Sequence, residues 1–240
     1  MFKEALLIVN KFRSAGKQLS LLGVEQERVY KKRKVLQTST EIRWGSQYNM
    51  LKSVNNSKEA LRNFAYCNNI DDSYKHFLLE PGFWAALTQL LELLGPIHNL
   101  QKMSEDNHAT VSYVYPRWLK LEEHLKRTAN SKSLFAADVK SYLTTIPIEG
   151  IKLTGINKKN WTRRREKQLF PLHRIAYFLN PLNSKVDLTD SELKEIDTAF
   201  KQHILDYTQA LSSFFDFRNH EGSFANRVVA WGYKKQPKLF

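Results

Sequence analysis

Arg43-Trp44 stands directly before Gly45-Ser46, and Tyr48, Met50 and Leu51 follow. A guanidinium beside an indole can grip a phosphate and stack on a base, which is chemistry suited to nucleic acid. The same spacing has a second reading, because Trp44, Tyr48 and Leu51, four and three residues apart, would form the buried face of a helix. A second cluster is denser in charge: Lys158, Lys159, Arg163, Arg164, Arg165 and Lys167 surround Trp161, with Glu166 as the one acid among them. Phosphate neutralisation would supply affinity there, and Trp161 could stack or wedge between bases. A nuclear-import signal has a similar composition, and so has an exposed loop with its tryptophan tucked inward. A third run, Lys31-Lys32-Arg33-Lys34, reads either as a solvated helix face or as a phosphate-contacting patch that extends the surface of Arg43 and Trp44.

The composition fits these readings. Lys and Arg number 37 against 24 Asp and Glu, a net charge of +13, and the isoelectric point lies near 9.7. Such a balance favours a polyanionic partner: nucleic acid first, an anionic membrane surface second. No run approaches the roughly twenty apolar residues needed to span a bilayer, and Met1 to Asn10 lacks a signal-peptide cleavage pattern, so the expectation is an intracellular protein that is neither inserted nor secreted. The single cysteine, Cys67, excludes an intramolecular disulfide and a Cys-rich zinc site, and its helical position near Phe64 predicts a small buried apolar group. The seven histidines show no pair at the one-turn spacing of a helical zinc motif, and no Gly-rich phosphate loop occurs. No metal, cofactor or nucleotide site is therefore expected.

The elements that must position these residues read as helices throughout. Phe2 to Arg13 has a helical apolar stripe with Gly16 as its stop, and Val24 to Leu36 is a charged segment. The helix through Leu51 should end near Asn55-Asn56, with Ser57 capping the next one and Asn68 to Tyr74 forming a polar loop. Phe83 to Leu125, rich in large side chains, is the expected core; Gly95-Pro96 should bend or break its first helix, and Pro116 should kink the next or mark its first turn. Ser133 caps a helix that ends by Pro147 and Gly150, and Ile151, Leu153 and Ile156 are the one place a short strand fits. Thr189-Asp190-Ser191-Glu192 is a capping box, followed by an apolar stripe from Leu193 to Phe214 that predicts one long helix. Phe224, Val228 and Trp231 suggest a last helix. The fold class that follows is all-α, a multi-helix bundle-like domain over 1–240, with 1–147 and 148–240 as its alternative sub-units.

Arg43-Trp44-x-Ser46-x-Tyr48-x-Met50-Leu51 resembles the Arg-Trp-x-Ser-x-Tyr-x-Met-Leu stretch of the hAT superfamily of DNA transposases. Family members usually carry Thr where this chain has Ile42. Trp84, Leu94 to Pro96 and Ser104 to Ser112 fall where the family has a Trp-containing helix ending in Leu-x-Pro and then a Ser/Thr-containing turn. Ala176 to Pro181 is similar to the family's Ala-x-x-Leu-Asp-Pro, with Asn180 in place of the Asp and Leu182 in place of a following basic residue. A role needing that carboxylate would be lost, whereas a helix-end role would survive, since Asn also suits a turn.

The resemblance implies a helical domain of the kind inserted into a ribonuclease H-like catalytic fold, over roughly Asn10 to Trp231. It implies DNA as partner, contacted by Arg43 and Trp44 with help from Lys158, Lys159, Trp161, Arg163, Arg164, Arg165 and Lys167, and a nuclear location. In the family, two Asp and one Glu hold the divalent metals of strand transfer. Strand-borne Asp motifs do not precede Ile42, and neither Glu166 nor Glu221 has the context of the family's Glu. The expectation is therefore a fragment or decayed copy that binds DNA without catalysing transfer. The rival expectation is a helical interaction or scaffold domain whose charge keeps it soluble; a hydrolase with unrecognised carboxylates is a more remote one. Oligomeric state is not legible.

Overall fold

The computed structural model describes residues 1–40, 44–68, 70–107, 109–144, 161–183 and 186–225, with backbone alone for Thr144, Thr162, Arg163 and Glu166. Among the described residues the protein is all-α, and no strand occurs. The region around Ile151 expected as a strand, and Val228 and Trp231 of the last expected helix, lie outside the described residues. The chain divides into two compact units, 1–101 with 127–140, and 102–126 with 141–240.

The first unit is built on α1 (Phe2–Ser14), α2 (Gly16–Tyr30), α3 (Trp44–Asn56), α4 (Lys58–Cys67), α5 (Asp72–Leu79) and most of α6 (Pro81–Glu105). Gly16 starts α2 rather than stopping α1; the break falls on Ala15, whose backbone is extended. Ala5, Ile8, Val9 and Phe12 recur at helical spacing and are fully buried, and the Phe12 and Phe64 rings meet edge-on at 5.0 Å. Trp84 and Leu87 complete this core, each large side chain contributing about 1.5–3 kcal/mol. Trp84 keeps its indole N–H satisfied by donating to the Leu78 carbonyl at 2.8 Å. The core thus draws on α1, α3 and α4 as much as on the 83–125 block expected to form it.

Two further expectations are corrected here. Of the bend or break expected at Gly95-Pro96, the break does not occur, and α6 runs on through Pro96. Cys67 is exposed: the buried stripe of α4, Ala60, Leu61, Phe64 and Ala65, leads on to position 68 and leaves Cys67 off the face.

The second unit holds a 3-10 turn at Val111–Tyr113, most of α7 (Val114–Ala129), the end of α8 (Ala136–Thr144), then α9 (Trp161–Gln168), α10 (Pro171–Phe178), α11 (Asp190–His203) and α12 (Tyr207–Asn219). Pro116 lies in the first turn of α7, where its missing N–H costs nothing. The core is Tyr115, Ile175, Phe178, Ile196, Ala199, Phe200 and Phe214. The capping box forms: Thr189 accepts from the Glu192 N–H, and Glu192 accepts from the Thr189 N–H at 2.9 Å. The long helix expected beyond it divides in two. Ile204 is extended, Leu205 is fully exposed, and Asp206 caps α12 by accepting from the Gln209 N–H at 3.2 Å. Asn180 takes the helix-end role, accepting from the Leu182 N–H at 3.0 Å.

Among the described residues no single helix is long and apolar enough to cross a membrane, though α5 and α6, bent by 63°, pass that test as a pair by length and composition. Trp84 and Leu87 of that pair are nonetheless core residues.

Candidate nucleic-acid interface

The basic turn after α2 is held from below by one buried amide. Gln26, 3% exposed, donates to the Lys34 carbonyl at 2.8 Å and accepts from the Lys34 N–H at 2.9 Å. Its Nε2 also donates to Ser57 Oγ at 3.2 Å, so Ser57 is fully buried and makes no side-chain cap to α4. Lys31 ends α2 in the left-handed region at φ 59°, which turns the chain. Beyond Lys34, Leu36 enters the core and the Gln37 N–H donates to Ser53 Oγ on α3 at 2.9 Å. The segment is thereby fastened on both sides of Leu36.

The cations of this turn are not equivalent. Arg33 pairs with Glu27 at 2.8 Å in an exposed ion pair, an interaction of little net worth. Lys31 and Lys32 are exposed. Lys34 is half-buried: its Nζ lies 3.2 Å from the centre of the Tyr30 ring and donates to the Asn56 carbonyl at 2.5 Å. Burial, with Lys32 nearby, holds this ammonium below the ordinary lysine value.

In the motif itself, Arg43 lies outside the described residues. Trp44 is the first residue of α3 and is half-buried. Ser46 Oγ accepts from the Thr40 N–H at 2.9 Å, tying the incoming chain to the first turn. Tyr48 is buried and stacks on His98 at 4.4 Å, while Trp44 and His98 meet nearly perpendicular at 5.7 Å. Gly95 permits this approach, since a Cβ there would lie 3.3 Å from Tyr48 Oη. Met50 and Leu51 are fully buried. The buried-face reading of the spacing therefore holds for Tyr48 and Leu51, which are core, while Trp44 stays at the margin.

The opposite face of α3 was not legible as a site. Asn49, Lys52, Ser53 and Asn56, with Lys34, Val35 and Gln37 from the fastened segment, line a cleft of about 360 Å³. Its signal in the sequence is the polar spacing of three, one and three residues on a helix whose other face is apolar.

In the second unit Lys158 and Lys159 lie outside the described residues, as does the Arg163 side chain. Trp161 is not in a loop; it opens α9, is 7% exposed, and packs on Trp118 at 5.0 Å between ring centres. Of the two readings of Trp161, the one tucked inward holds, on a helix rather than in a loop, and the exposed stacking wedge does not. Arg165 lies 3.5 Å from Glu122, and Arg164 and Lys167 remain exposed.

Elsewhere in this unit Tyr115 donates to Glu192, under the guanidinium of Arg174, which lies 5.3 Å from the ring centre. Burial and the Glu192 carboxylate push the Tyr115 hydroxyl up to about 12. Burial pushes Glu192 up, but the hydrogen bonds from Tyr115 and Thr189 outweigh it and the carboxyl lies below its ordinary value. Among the described residues no three His, Cys, Asp or Glu side chains converge as a metal site. Compared with protein-family models, with curated proteins and with solved structures, the chain matches none.

Proposed function

We propose that this chain is a DNA-binding module of hAT transposase type that holds DNA without performing strand transfer. The observation that carries this reading is the division of labour within the Arg-Trp motif. Tyr48, Met50 and Leu51 are spent on the core and Ser46 on a local hydrogen bond, whereas Trp44, the residue after Arg43 and the first of α3, is only half-buried. A net charge of +13 supplies the general attraction for phosphate, and Arg164 and Lys167 add exposed cations. No transfer chemistry is assigned, because the family's acidic motifs have no counterpart in the sequence. A DNA partner implies a nuclear location.

The test is binding of labelled hairpin and plain duplex DNA to wild type and Trp44→Ala. Loss of a base-stacking contact should weaken hairpin binding about tenfold, and duplex binding less. Equal loss on both substrates removes the stacking role. The second reading, a helical interaction domain, draws on the inward placement of Trp161 and the Arg165–Glu122 pair; it predicts no binding to either substrate.

A further inference from the structure

The cleft between the fastened segment and α3 carries charge and polar groups that the reading above does not use. We propose that it is a binding site for a phosphate monoester, with Lys34 and Lys52 as the cations and Asn49, Asn56 and Gln37 as the neutral partners. The proposal stands whether or not the chain binds DNA through Trp44.

Four observations lead to it. The lining holds two lysines and no acid, so the cleft is electropositive without an internal counter-ion. Its volume, about 360 Å³, lies within the roughly 300–1,000 Å³ of small-molecule pockets. One wall is built at the backbone: Gln26 and Ser53, 3% and 7% exposed, fasten the chain at Lys34 and Gln37, so the main chain there is ordered before binding. Lys34 is already positioned, one N–H given to the Asn56 carbonyl and its Nζ 3.2 Å from the centre of the Tyr30 ring, which leaves a donor for an anion. Its partial desolvation makes an incoming anion more favourable than at a fully hydrated lysine.

Three amide side chains suit the rest of such a ligand, since each offers both donors and an acceptor to a base edge or a sugar hydroxyl. A phosphate monoester reaches the cleft from two sources, a free nucleotide or the phosphorylated end of a nucleic-acid strand, and the assay separates them.

The experiment titrates the full chain with inorganic phosphate, a nucleoside monophosphate, and one short single strand with and without a 5′-phosphate. Affinity is read by calorimetry and the site by the amide signals of Asn49, Lys52 and Asn56 in NMR. The expected result is saturable phosphate binding that shifts these signals and weakens about tenfold in Lys52→Gln, the loss of one charge-assisted contact. Lys52 is exposed, so this variant should fold; Lys34→Gln is the second variant, its fold checked by circular dichroism. Preference for the phosphorylated strand over its hydroxyl form identifies a strand end, and stronger binding of the monophosphate identifies a free nucleotide. No shift at these three residues, or equal binding by wild type and both folded variants, overturns the proposal. Because Trp44 does not line the cleft, the hairpin preference can be lost in Trp44→Ala with phosphate binding intact, and each reading can fail alone.

Discussion

Tyr115 and Glu192 form a polar contact at the second core, and their ionisation is tied to folding. The tyrosine hydroxyl, pushed from 10.0 up to about 12 by burial and by Glu192, contributes stability that is fully present below pH 10 and is lost as pH rises towards 12. The Glu192 carboxyl has the opposite sense. Held below its ordinary 4.5, it contributes stability present above that pH and lost as pH falls through the folded value. Tyr115→Phe keeps the ring contacts with Tyr177 and Phe178 and removes the hydroxyl. Melting temperatures followed across pH should therefore show a shallower alkaline fall in the variant, Tyr177 keeping its own raised share, and a shallower acid fall. An unchanged alkaline limb would place its origin elsewhere. Neither partner was visible as a pair in the sequence, where 77 residues separate them; only the Thr189 capping box drew attention to Glu192.

Helices show where a sequence is readable and where it stops being so. The α11 start was legible because its signals are local: a Thr cap, a Glu three residues on, and an apolar stripe. The division between α11 and α12 was not, because the stripe runs on in register and only the Asp206 cap marks the restart. Pro96 illustrates the converse, a strong local signal overruled by packing. Its ring sits inside α6, where Pro96 has no N–H to give the Glu92 carbonyl, while Gly95 leaves room for Tyr48. Pro96→Ala should restore that hydrogen bond and raise stability by about 1–3 kcal/mol, read as a higher urea midpoint. A lower midpoint would mean that the ring's own packing outweighs the missing bond. The candidate sites divide in the same way. The basic clusters and the Arg-Trp motif can be found by composition, but the burial of Trp161 depends on Trp118, 43 positions earlier. The phosphate cleft depends on Gln26 reaching Lys34 and Ser57.

At the scale of the whole molecule the charge sets what can be measured. If the surplus of +13 engages DNA through even six phosphates, affinity should fall by about a thousandfold between 50 and 200 mM salt. A binding constant flat across that range would leave the charge as a solubility device and favour the interaction-domain reading. The two units also interleave along the chain: 102–126 departs from the first before 127–140 returns to it. During synthesis, then, Tyr115 emerges from the ribosome well ahead of Ile175, Phe200 and Phe214, the residues that shelter it. At about 5–20 residues per second the wait for Phe214 is roughly 5–20 s. Throughout that interval a nascent aromatic segment stands uncovered, and a chaperone that holds it would decide how much of the protein matures.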